Sequence, residues 1–217
     1  MLKSFYQANR EKLQKFNGLL MTNPIMERGF ILAPIIVASY NTQNSVALGI
    51  GFSIITFITV MLSSFIPRRI PYTVRTILYS LLACVVFVPT AMLIERLLPR
   101  SLYSLGVFLP LLVANSLIVV KSESRFHRNG FGYMTVDVAC HAAGFFIAIV
   151  LVGLIREVLG SGTVFGVTVN PFFTAPAVLM PFSGFIIIGL LAAVSKRIRM
   201  YLEEPASGKK KRRGGHE

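Results

Sequence analysis

Charge is scarce in this sequence. Charged residues make up 14% of its 217 positions, and only nine of them are acidic, against 22 lysines and arginines. A soluble domain needs a charged exterior, and a chain with 54% hydrophobic residues and a mean hydropathy of +0.67 cannot supply one. Cysteine is nearly missing as well. Cys84 and Cys140 each stand alone inside an apolar run, outside any CxxC-type cluster, which excludes a disulfide framework or a zinc site read from spacing. No cleavable leader is visible, because the first 20 residues mix charge with apolar side chains and hold no uninterrupted apolar core. The net charge of +13 would suit nucleic acid, yet the basic residues sit in tails and short loops beside apolar runs, where they set membrane topology. The run Lys209 to Arg213 reads as a solvated tail or a contact with anionic lipid, and no nucleic-acid partner is expected.

What is abundant is long apolar sequence. Six runs, over about residues 29–40, 44–66, 72–94, 101–120, 134–155 and 176–195, predict a multi-pass, all-α membrane protein. Residues 1–22 place Leu2, Phe5, Leu13, Phe16 and Leu20 at roughly helical spacing among basic residues, as in an amphipathic helix on the membrane surface. The membrane domain then covers 23–200, and 201–217 form a basic flexible tail. With the amino end inside, nineteen lysines and arginines fall on the cytoplasmic side and three outside, which places both termini in the cytoplasm of a cell whose inner membrane holds the chain.

The halves resemble each other. Phe30 to Ser39 lies over Val107 to Asn115 with Pro34 matched to Pro110, so each half opens on a proline-broken segment. Three spans per half make this an inverted repeat, and paired interruptions point to a site near the midplane. Among polar residues, Asp137 and His141 stand four apart in the fifth run and share a helix face. An acid in a membrane span is a candidate for an ion path. A carboxylate in the first helical turn also suits the positive helix end, so both readings stay open. Cys84 and Cys140 read as small apolar side chains more readily than as metal ligands. Arg156 and Glu157 read as a capping or paired couple where the fifth span meets the outer surface, and Arg75 as a side chain snorkelling to the inner interface.

Three stretches carry a family resemblance: Ser104 to Asn115, the run Ile155-Arg-Glu-Val-Leu-Gly-Ser-Gly-Thr-Val-Phe-Gly166, and Leu179-Met-Pro-Phe-Ser-Gly-Phe185. Over about residues 22–200 the chain resembles the Rnf/Nqr membrane subunit family. The resemblance implies a six-helix subunit, not catalytic alone, in a bacterial or archaeal complex that couples electron transfer to Na+ or H+ movement. Its implied partners are an inverted homologue of the A type, other Rnf/Nqr subunits and the bilayer. In the family such a pair shares one [2Fe-2S] cluster, each member giving a cysteine just before the first broken helix's proline and another six residues after the second's. Here those positions are Ala33 and Ser116. No cofactor is therefore assigned to this chain; a [2Fe-2S] cluster would need a partner's ligands, and flavins and other iron–sulfur clusters belong to partner subunits. A divergent relative working as an ion or solute passage, or as an assembly scaffold without redox role, is the alternative.

Overall fold

The computed structural model describes residues 36–67, 69–124, 131–169 and 174–203. The expected surface helix over 1–22, Ala33, Pro34 and most of the basic tail lie outside the described residues. What is described is mainly helix. α1 is Thr42–Ser63, α2 Tyr72–Leu97, α3 Ser101–Leu105, α4 Ser116–Ser124, α5 Phe131–Ser161 and α6 Pro181–Glu203. Thr42–Ser63, Tyr72–Leu97 and Met134–Ser161 are each long and apolar enough to cross a membrane. The stretch from Ser101 to Glu123 makes a fourth if its two parts, bent by 53°, count as one span.

Each boundary has a local cause. α1 starts after a bend at Ser39–Asn41, where the Asn41 side chain accepts from the Asn44 N–H at 2.7 Å and caps the first turn. α2 carries Pro89 within its length and stays continuous; Thr90 Oγ1 donates to the Val86 carbonyl at 2.7 Å beside it. The fourth run is broken. Gly106 adopts φ +49, which glycine tolerates best, and the chain then passes through 3₁₀ turns at Gly106–Phe108 and Pro110–Val113 before α4. After α5 a tight hairpin pairs Thr163–Val164 with Val167–Thr168, its turn residues Phe165 and Gly166 both at positive φ. A 3₁₀ turn, Pro176–Leu179, leads into α6.

The core lies between α1 and α5. Phe52 and Phe145 stack with ring centroids 3.6 Å apart, and α2 and the broken segment close the cluster through Tyr79, Ile94, Leu109 and Leu112. The two main helices approach so closely because each offers a glycine. A Cβ at Gly49 would fall 2.6 Å from Phe146 Cδ2, and one at Gly153 would fall 1.9 Å from Ser45 Oγ. The observed helices outrun the apolar runs. α5 begins three residues before Met134, the first residue of its span, and continues to Ser161, so Asp137 belongs to its second turn and not its first. α6 likewise carries the basic residues Lys196 and Arg197 within the helix.

Candidate functional site

Two groups of buried polar side chains stand at opposite ends of α5. At its carboxyl end, Arg156 is fully buried and its guanidinium serves five backbone carbonyls. Two belong to the segment before α1, Ile36 and Ser39 (3.1 Å). Three belong to the turn before α6: Val178 at 3.3 Å, Leu179 at 2.7 Å and Met180 at 3.3 Å. Glu157 does the reverse for donors, accepting from the Thr42 N–H at 2.7 Å, Thr163 Oγ1 at 3.1 Å and the Gly166 N–H at 3.1 Å. Broken backbone inside a membrane must be satisfied by protein, and this adjacent pair satisfies carbonyls and N–H groups separately. Gly184 makes room for it: a Cβ there would lie 3.2 Å from Arg156 Nη1. Arg156 and Glu157 are thus a clamp enclosed in protein near the end of the helix, where they satisfy backbone groups as the capping reading expects.

At the amino end of α5 lies the second group. Lys121 Nζ donates to Asp137 Oδ2 at 2.7 Å and stands 3.2 Å from His141 Nε2, with all three residues buried. His141 Nδ1 donates to the Asp137 backbone carbonyl at 2.7 Å. Beside them Ser63 and Ser122 share a hydrogen bond of 2.7 Å, and Glu123 binds Arg75 at 2.8 Å and the Tyr79 hydroxyl at 3.0 Å. The structure thus joins Asp137 and His141, as their spacing predicts, and adds Lys121, which the charge pattern alone places in a cytoplasmic loop. Arg75 is largely buried against Glu123, which replaces the snorkelling expected of it. A signal for Lys121 does exist in the sequence: a lone acid in a span needs a cation, and Lys121 directly continues the apolar residues Leu117–Val120.

The remaining candidates are dispersed. Ser116 is exposed at the first turn of α4. Its neighbour Asn115 is buried and engaged at both ends of its amide, donating to Thr56 Oγ1 at 3.0 Å and accepting from the Leu117 N–H at 2.8 Å. Pro110 opens the second 3₁₀ turn. Cys84 is exposed on α2, and Cys140 is buried on α5 next to the Lys121 group. Among the described residues no three His, Cys, Asp or Glu side chains come together to hold a metal ion. A hydroxyl at Ser116 does not fit the thiolate that an iron–sulfur cluster asks for.

The sequence profile of the family described as "Rnf-Nqr subunit, membrane protein" matches residues 12–192. Curated relatives agree. The chain is 27% identical to the E subunit of the proton-translocating ferredoxin:NAD(+) oxidoreductase complex of Clostridium ljungdahlii, over 92% of this chain and 95% of that one. It is 28% identical to the E subunit of the ion-translocating oxidoreductase complex of Methanosarcina acetivorans, over 75% and 78%. It is 26% identical to the E subunit of the Na(+)-translocating ferredoxin:NAD(+) oxidoreductase complex of Acetobacterium woodii, over 80% and 90%. With membrane-length helices and a match across most of its length, this multi-pass membrane chain belongs to the Rnf-Nqr subunit family.

Proposed function

We propose that this chain is the E-type membrane subunit of an ion-translocating ferredoxin:NAD+ oxidoreductase complex. The observation that carries the reading is near full-length similarity to proteins named for that activity, such as the one from Clostridium ljungdahlii. Those names favour the electron-transport reading over a passage or scaffold without redox role. Donor and acceptor chemistry then belongs to partner subunits, and this chain forms part of the membrane core through which charge moves.

Finer features follow as parts of the same proposal. The chain crosses the cytoplasmic membrane six times, with α6 as the last crossing and the segment ending at Ser39 as the first. Support comes from the 23-residue length of α6 and from a helical segment at 36–38 that ends in a bend. Two inverted halves pair with an inverted homologous subunit, against which the broken segments are covered. The chain gives no thiolate to a shared [2Fe-2S] cluster, since Ala33 and Ser116 carry none.

The test is purification through a tag on this chain from native membranes. The expected result is co-purification with flavin- and iron-carrying subunits, and loss of ferredoxin-dependent NAD reduction by membranes when the chain is deleted. A tagged chain that purifies without redox-active partners, from membranes whose activity survives its deletion, overturns the reading.

A further inference from the structure

The hairpin after α5 carries a bulky residue where the backbone favours a small one. Its turn sets Phe165 at φ +51 and Gly166 at φ +78, the pair of positive values that joins two strands tightly. Glycine, asparagine or aspartate suits the first of these positions, and an aromatic residue there holds the backbone in a strained region. Burial within the chain does not offset that strain. Phe165 is 57% exposed, and Val167 and Val169, next along the same strand, are 68% and 63% exposed. Polar groups of the hairpin turn the other way. Thr163 Oγ1 and the Gly166 N–H both donate to Glu157 Oε1 at 3.1 Å, and Thr163 shares a hydrogen bond of 2.8 Å with Ser161. An apolar rim thus stands outward on a polar base fixed to α5.

That base also sets the depth of the hairpin. The other oxygen of Glu157 accepts from the Thr42 N–H at 2.7 Å, so the turn lies beside the first residue of α1. α1 has 22 residues, about 33 Å of helix, which matches the hydrocarbon thickness of a bilayer. Thr42, and the turn with it, therefore stands at the edge of the hydrocarbon and not far out in water. Glu157 follows Ala139 by eighteen residues, about five helical turns, and so shares its face of α5. On that face α1 and α5 open sideways in an apolar groove lined by Ile54, Ile58, Ala139, Ala143 and Ile147. The hairpin sits over the rim of the bundle, where lipid begins. Along the chain no charged residue occurs between Glu157 and Lys196.

We propose that the hairpin tip is a lipid-binding wedge, with Phe165, Val167 and Val169 seated in the bilayer surface where headgroups meet acyl chains. Apolar side chains gain there by leaving water, while the backbone of the turn and water-borne reagents still meet. An uncharged tip is drawn to the glycerol and acyl region that all phospholipids share, not to the charge of a headgroup. Insertion of the ring offsets the strain at Phe165. The hold then passes inward: lipid fixes the hairpin, the hairpin fixes Glu157, and Glu157 ends on the first residue of α1. This contact depends only on the spanning helices, whatever electrons or ions the assembled complex handles.

The chain has no tryptophan, so F165W adds one reporter, read as the difference between variant and native complex in phosphatidylcholine vesicles. Its emission should be blue-shifted from that of tryptophan in water. Bromine near the glycerol end of the acyl chains should quench it about twofold more than bromine near their methyl ends, as burial by about 5–10 Å requires. Adding anionic phosphatidylglycerol should leave the quenching unchanged. V167W carries the same expectations and serves where F165W fails to assemble. Water-like emission quenched by acrylamide alone places the tip in solvent, and emission shielded from both bromine and acrylamide places it under a protein partner. Either result overturns the lipid contact. Stronger quenching from the methyl ends overturns the depth, and quenching that appears only with phosphatidylglycerol overturns recognition without charge.

Discussion

Arg156 is a full positive charge whose hydrogen bonds run to neutral carbonyls drawn from two distant segments. Each buried acceptor left unmet costs about 1–3 kcal/mol, so removing the guanidinium has a large expected effect even after local relaxation. We expect R156M to destabilise the protein by about 3–5 kcal/mol, in the range seen when one side of a buried charged contact is deleted. R156K should also destabilise, by less, because a lysine ammonium has three donors and no planar fork to span both segments. Melting of the detergent-solubilised protein, followed by size-exclusion fluorescence, checks this; native-like melting of both variants refutes the clamp. E157Q keeps an acceptor and should cost about 1 kcal/mol in the same assay. The run around Ile155–Gly166 stands out in the sequence, and a capping role is legible from its chemistry. Its depth is not. The carbonyls of Ile36 and Ser39 lie 120 and 117 residues away along the chain, and no local periodicity encodes such a distance.

Helices show the same division between what pattern reveals and what only packing reveals. The apolar runs locate α1, α2 and α5, because a long uncharged stretch has few other stable fates. They misplace helix ends, since Lys121, Arg156 and Lys196 each mark the edge of an apolar run although all three lie in helices. A basic side chain stops an apolar run without stopping a helix, provided a carboxylate, a carbonyl or water receives it. The broken fourth run is legible from Pro110 and Gly106, whose backbone limits are local. The tight α1–α5 crossing is not, because nothing in the sequence marks which glycines face each other. That crossing can be tested. A methyl at Gly153 would strike Ser45 Oγ at 1.9 Å and Ser45 Cβ at 2.6 Å, and meet the Asn41 carbonyl at 3.0 Å. We expect G153A to cost about 1–3 kcal/mol, as overpacking does. Adding S45G should recover part of the loss, since it removes the two nearest atoms. A double-mutant cycle on melting temperatures reads the coupling; strict additivity would show that the helices do not cross there.

At the scale of the whole molecule, the two polar groups differ in their company. The clamp of Arg156 and Glu157 lies with the hairpin at Thr163–Thr168 and the α2–α3 connection on a side poor in basic residues. The Lys121 group lies where α1 ends, α2 begins and α4 meets α5, the side on which the order of spans expected from the sequence puts nineteen of the 22 lysines and arginines. Lysine and arginine near span ends are retained on the cytoplasmic side, so this asymmetry predicts which end faces in. A chain with Cys84 and Cys140 replaced by alanine, carrying one new cysteine at a time, should show it. R100C and F165C, at exposed positions on the hairpin side, should react with an impermeant maleimide added to intact cells. R125C and K210C should react only after the membrane is opened. Labelling of R125C or K210C in intact cells, with R100C protected, would invert the whole arrangement.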